Sequence, residues 1–134
     1  MLVREVMTTD FECCTLEDIA MRPAEIMREN DVATVPVIAA PHQPKLQGTI
    51  TDRDLCLAVI AHGRDPLDVL VRDCLKNSPM ACRPDDTIQQ VATMIGSEPI
   101  EHIPVVDEHG DLIGILSRSV IEKRLATAPG KTPE

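Results

Sequence analysis

Thr51 and Asp54 stand three residues apart in the stretch "GTITDRD" that begins at Gly48, and Ser117 and Val120 stand three apart in "GILSRSV", which begins at Gly114. Each stretch reads as a strand feeding directly into a helix, whose first N–H groups lack partners and carry partial positive charge. Gly48 lets a ligand approach the backbone closely. Thr51 could donate to a phosphate oxygen, Arg53 could neutralise one, and Asp54 could accept from sugar hydroxyls, as carboxylates do in other nucleotide folds. The same spacing is also a capping-box pattern with Asp in place of Glu or Gln, worth about 1 kcal/mol with no ligand at all. The two roles are compatible. Only the first stretch has the carboxylate, so any chemistry that needs it belongs to one half of the chain.

The two stretches sit in a larger repetition. "VREVM" at 3–7 recurs as "VRDCL" at 71–75, and "TVPVI" at 34–38 recurs as "HIPVV" at 102–106. Pro36 and Pro104, Val3 and Val71, and Cys14 and Cys82 all keep one spacing of 68 positions, which falls to 66 between Gly48 and Gly114. The two extra residues fall in "AAPHQPKLQG", read as a loop, where insertions are tolerated. In the second repeat, "DDTIQQVATMIGSE" places Ile88, Val91, Ala92 and Ile95 on one helical face, with Asp86 as N-cap and Gln89 three residues on. "IEHIPVVDEHGDLIGILS" reads as two strands around a turn at Glu108–Asp111, and "RSVIEKRLA" as a helix. In the first, a helix near Pro23–Glu29 precedes "VATVPVI", "LQGTI" and a helix "DRDLCLAVIAH" that Gly63 ends, with Leu55, Ala58, Val59 and His62 as its stripe. The earlier helix starts either near Arg22, as the constant spacing implies, or near Thr15 with a bend at Pro23; Pro favours a first turn, so the former is preferred.

Each repeat is thus a β-α-β-β-α unit too small to close a core alone. The expected fold class is α/β (α+β): two such units packed sheet to sheet with pseudo-twofold symmetry, residues 1–66 and 67–127, followed by a disordered tail at 128–134.

Composition bounds the rest. The chain has 134 residues and is 43% apolar, yet it holds one Phe and no Tyr or Trp, so core and pocket walls are aliphatic. A net charge of −9 argues against the basic stripe of a nucleic-acid binder, though, as a global sum, not against a local site for a small anion. Five cysteines without a C-x-x-C, and no apolar run near 18 residues, point to a reduced, cytoplasmic chain that neither enters nor crosses a membrane. A metal site joining Cys82, His102 and His109 is weighed against plain buried thiols and surface imidazoles, and the latter are favoured. No nucleophile–base pair, zinc-protease motif or Walker loop is present, so no catalytic residues are assigned and the chain is not read as an enzyme.

The ordered motifs "VREVM", "TVPVI", "GTITDRD", "VRDCL" and "HIPVVDEHGDLIGILS", spanning Val3–Leu125, resemble a pair of cystathionine-β-synthase (CBS) domains, the Bateman module, in its small stand-alone bacterial form. The resemblance implies regulation by an adenosyl ligand: AMP, ADP or ATP, with S-adenosylmethionine or NAD as further candidates and no required cofactor. It implies one site formed by Thr51, Arg53, Asp54, Ser78, Pro79, Met80, Ile100, Glu101 and His102. A second, weaker site would use Asp10, Phe11, Val32, Ala33, Thr34, Ser117 and Arg118. That second site departs from the family pattern at Val120, and Asp10 adds negative charge where an anion should sit. Residues such as Met80 and Ile100 are more often plain core, and Glu101 is more readily a solvated strand-edge charge than a specific acceptor.

The leading expectation is a ligand sensor that forms a homodimer and signals to a protein target by population shift. Two other readings stand beside it: a ligand-independent structural dimerisation module with decayed clefts, and a thiol sensor at Cys13–Cys14. The last is disfavoured because adjacent strand residues point to opposite faces.

Overall fold

The computed structural model describes residues 1–75 and 80–126. In chain order its elements are α1 (Val3–Val6), β1 (Cys14–Thr15), α2 (Met21–Asn30), β2 (Thr34–Ala40), β3 (Gln43–Thr51), α3 (Asp52–Leu55, continued by a π-helical turn over Cys56–Ile60), a 3-10 turn at Val71–Asp73, α4 (Ile88–Ile95), β4 (His102–Val106), β5 (Leu112–Ser117) and α5 (Arg118–Ala126). They form two compact units. A central unit comprises Glu12–Pro79 with Gly110–Leu112, and a terminal unit comprises Met1–Phe11, Met80–His109 and Ile113–Glu134. The expected disordered tail lies outside the described residues.

In the central unit, β1 runs parallel to β2, and β2 runs antiparallel to β3 in the order β1-β2-β3. Val35, Pro36, Val37 and Ile38 are all buried, so β2 is covered on both faces, as its run of apolar and β-branched residues suits. With Ile50, Ile26, Val59 and Val71 they build the unit's core. Helix α2 starts at Met21, in keeping with the preferred start, and places Pro23 in its first turn, where the missing N–H breaks no helical bond. It ends at Asp31 in the left-handed conformation, φ 53°.

Three expectations change. The stretch "AAPHQPKLQG" is not a loop: β2 and β3 pair from Thr34↔Thr51 to Ala40↔Gln43, and two shifts in register absorb the extra residues as bulges. The stripe through His62 fails because the π-helical turn, in which Ala61 N donates to Cys56 O at 2.9 Å, changes the helical phase and leaves His62 exposed. The N-cap of α4 is Thr87, not Asp86: Thr87 Oγ1 accepts from Gln90 N at 3.1 Å and Gln90 Oε1 from Thr87 N at 2.7 Å. Asp86 instead closes the preceding turn by accepting from Arg83 N at 2.8 Å, as Asp18 does from Thr15 N at 2.8 Å.

In the terminal unit β4 and β5 pair across a turn that contains Gly110 at φ 81°, and α4 buries Ile88, Val91 and Ile95 on the expected face, with Ala92 at its margin. Gly110–Leu112 groups with the central unit because Gly110 O accepts from Leu46 N at 3.0 Å and Asp111 bridges Lys45.

The leading segments are exchanged. Val3 is fully buried in the core that Val91, Ile103 and Leu116 form, and its N–H donates to Asp86 O at 2.8 Å. Val71, 68 positions later, is buried in the core around Val35 and Ile50, and donates to Asp18 O at 2.8 Å. Arg4 pairs with Asp85 and Arg72 with Glu17, which keeps the same spacing. Compact units and sequence repeats are therefore different divisions of the chain, because Val3 of the first repeat is buried among residues of the second, and Val71 of the second among residues of the first.

Gly114 makes room for this arrangement. Thr8 and Ile115 exchange both backbone hydrogen bonds at 2.9 Å, and a Cβ at Gly114 would lie 2.7 Å from Met7 Sδ and 3.1 Å from Thr8 O. Gly114→Ala is expected to cost about 1–3 kcal/mol, read as a lower Tm in thermal denaturation followed by far-UV circular dichroism. An unchanged Tm would show that residues 7–8 move aside freely.

Candidate ligand site: two strand-to-helix corners

The central corner is a complete capping box. Thr51, in extended backbone at φ −111° and ψ 164°, accepts from Asp54 N on Oγ1 at 3.0 Å, and Asp54 Oδ2 accepts from Thr51 N at 2.9 Å. Asp52 N donates to Ala33 O at 3.0 Å, and Asp52 Oδ1 accepts from Arg53 N at 2.8 Å. The pattern therefore does act as a cap. It uses one Asp54 oxygen; among the described residues Oδ1 accepts no bond, and the exposed Arg53 guanidinium has no partner. A half-buried hydroxyl, a spare carboxylate oxygen and an unpaired cation thus meet at one corner.

The terminal corner keeps half of this. Ser117 Oγ accepts from Val120 N at 3.3 Å and lies 3.3 Å from Ser119 Oγ, but among the described residues no side chain returns to the Ser117 N–H as Asp54 does to Thr51. Arg118, expected to serve a ligand there, is committed elsewhere. Its Nη1 donates to Glu98 O and, at 3.4 Å, to Ile100 O; Nη2 donates to Gly96 O at 3.4 Å, and Nε to Glu122 Oε1 at 3.1 Å.

The units regroup the remaining candidates. Ala33 and Thr34 lie beside Thr51 and Asp52 in the central unit, where Thr34 faces Thr51 in register and Val32 packs against the core. In the terminal unit Glu101 O accepts from Arg118 N at 2.8 Å, and half-buried Met80 and Ile100 pack against the core. Glu101 is exposed, as is Asp10, whose N–H donates to Thr8 Oγ1 at 3.1 Å; Phe11 is half-buried. His102 is half-buried, and its Nδ1 is inaccessible and without a hydrogen-bond partner among the described residues. Ser78 and Pro79 lie outside the described residues. The commitment of Arg118 was not legible in the sequence, because its partners are backbone carbonyls.

All five thiols are free, and among the described residues no three His, Cys, Asp or Glu side chains are grouped to hold a metal ion. Cys14 and Cys82 play one structural part twice, donating through Sγ to Pro36 O at 3.9 Å and Pro104 O at 3.7 Å. Burial, aided by the nearby carboxylates of Asp18 and Asp86 respectively, pushes both thiols up to about 12. Burial and then Asp18 and Glu12 also raise Cys13. Among the described residues no helix is long and apolar enough to cross a membrane.

Two CBS-domain matches, over residues 3–61 and 71–126, place the geometry in a family: the chain belongs to the CBS-domain proteins and carries two CBS repeats. It is similar to the hypoxic response protein 1 of Mycobacterium tuberculosis, 25% identical over 91% of this chain and 83% of that protein. An uncharacterized protein of Methanopyrus kandleri is 29% identical over 86% of this chain, which spans 58% of that protein's length. Among solved structures, the protein CBSX2 in complex with AMP has TM-score 0.77 at 22% identity, covering 94% of this chain and 96% of its own. The CBS domain pair of the protein MJ0100, in complex with 5'-methylthioadenosine and S-adenosyl-L-methionine, has TM-score 0.74 at 20% identity over 95% of this chain and 97% of its own. These likenesses establish the fold of a CBS pair.

Two measurements check the local chemistry. Asp54→Val removes a cap and is expected to lower stability by about 1 kcal/mol, whereas Val120→Asp completes one beside Ser117 and raises it by a similar or smaller amount. Thermal melts of the two variants should therefore shift in opposite directions; shifts of the same sign would sink the capping account. In the native protein at pH 8, iodoacetamide should modify exposed Cys56 well before Cys14 and Cys82, whose raised thiols supply little thiolate. Mass spectrometry of timed samples reads that order.

Proposed function

We propose that this protein is a regulatory module that binds an adenosyl ligand of the AMP, ADP or ATP class and passes a change of conformation to a protein target. The observation that carries the reading is the central corner, where Thr51 Oγ1, the spare Asp54 Oδ1 and the unpaired Arg53 offer partners for a phosphorylated ribose. The fold likeness to CBS pairs seen with AMP or with S-adenosylmethionine supports it. The family likeness would also assign Met80, Ile100, Glu101 and His102, with Ser78 and Pro79, to the ligand, and the aliphatic composition supplies walls without stacking rings. The corner at Ser117 has Val120 where the other has Asp54, and its Arg118 is engaged elsewhere, so it is proposed to be weak or to take a less polar ligand. The setting proposed is cytoplasmic, as a homodimer.

A ligand-independent dimerisation module remains the second reading, supported by Ile60 and Leu67 at 73% and 55% exposed. Calorimetric titration with AMP, ATP, NAD and S-adenosylmethionine separates the two. Binding of at least one is expected, and no heat from any, with protein shown to be folded, would leave only the structural role. Asp54→Ala should weaken that binding at least about tenfold, the loss of a charge-assisted hydrogen-bond pair, while Val120→Ala leaves it within about twofold. Equal effects would refute the one-sided assignment.

A further inference from the structure

Arg118 opens a helix, the position where the positive end of the backbone dipole disfavours a cation. Its counterpart in the other repeat, 66 positions earlier, is Asp52, which suits the position and accepts from the Arg53 N–H at 2.8 Å. Arg118 is therefore at odds with its own helix, and its contacts show why it stands there.

The guanidinium folds back onto the segment that follows α4. It reaches Gly96 O, Glu98 O and Ile100 O, and Nε is held by Glu122 Oε1 at 3.1 Å across one turn of α5. These carbonyls lie at and beyond the negative end of α4, where a cation is favoured, and one planar fork can serve several of them at once. The Arg118 N–H adds Glu101 O at 2.8 Å. Only 24% of the side chain is exposed, so these bonds are partly shielded from water.

The segment has little else to fix it. Gly96 has φ 59°, Pro99 has no N–H, and the other backbone bonds of its interior are Glu98 N to Ile95 O at 3.2 Å and Ile100 N to Glu98 O at 2.8 Å. It leads directly into His102, whose buried Nδ1 lacks a partner among the described residues. An unpaired polar atom of this kind is costly unless a water or a ligand meets it, which makes its placement matter.

We propose that Arg118 is a positioning residue: its guanidinium clamps Gly96–Glu101 and so sets Ile100, Glu101 and His102 for the adenosyl ligand, without itself binding the ligand's phosphate. This rests on the ligand reading above and deepens it. An anion-binding Arg118 would discriminate by ligand charge; a clamp cannot.

The test compares adenosine with AMP by calorimetry on the whole chain, for the wild type, Arg118→Gln, Arg118→Lys and the milder Glu122→Gln. Arg118→Gln is expected to weaken both ligands by the same factor, about tenfold or more. Arg118→Lys should not restore them, since a single ammonium cannot span three carbonyls, and Glu122→Gln should move both ligands a smaller step the same way. A loss confined to AMP, or full rescue by Lys, would overturn the clamp in favour of phosphate binding. Hydrogen exchange without ligand gives a separate reading: amides 97–102 should exchange faster in Arg118→Gln and, more weakly, in Glu122→Gln, while those of β2 and β3 stay unchanged. Unchanged exchange at 97–102 would refute the clamp. Failure of the wild type to bind either ligand would refute the ligand reading and the positioning role with it, and leave exchange to decide the clamp alone.

Discussion

Everything in this fold depends on where two valines are buried. Val3 and Val71 each open a repeat, and each is fully buried among strands and helices of the other repeat, pinned by a 2.8 Å backbone bond and flanked by an arginine–carboxylate pair. Neither repeat can complete its core from its own residues. The hydrophobic effect therefore couples the halves through chain connectivity as well as through packing, since each first segment must leave its own repeat to lose its contact with water.

The same duplication allows the halves to diverge locally. Cys14 and Cys82 fill equivalent core positions and Asp18 and Asp86 close equivalent turns, where a change would cost stability, while the exposed Arg4 and Arg72 pair with equivalent carboxylates. The strand-to-helix corners have separated. At one, hydroxyl and carboxylate cap each other and leave an oxygen and a cation unused. At the other, the carboxylate is gone and the arginine has shifted one position, onto the carbonyls that follow α4. A cap tolerates such loss at about 1 kcal/mol, which a core position would not.

What is periodic or punctuated in this protein is legible in its sequence. The repeat spacing, the α4 face of Ile88, Val91 and Ile95, the start of α2 near Pro23, the turn around Gly110 and the Thr51–Asp54 box all follow from local sterics and local hydrogen bonding. Errors arose where two local options are nearly equal in energy. Asp86 and Thr87 both suit an N-cap, and the choice fell to Thr87 because Gln90 returns to its N–H while Asp86 closes the turn before it. "AAPHQPKLQG" carries loop chemistry, yet its residues pair as strands once β2 and β3 are aligned by their buried ends.

By itself, then, the sequence determined the family, the doubled architecture and the single-copy carboxylate, because these rest on residue identity and spacing along the chain. Only the tertiary structure decided which core each leading valine enters, that His102 Nδ1 is buried without a partner among the described residues, and that Arg118 is spent on backbone carbonyls. Those outcomes depend on backbone groups and distant segments meeting in space. A carbonyl carries no letter in a sequence, so a side chain that answers to carbonyls can be found only once the chain has folded.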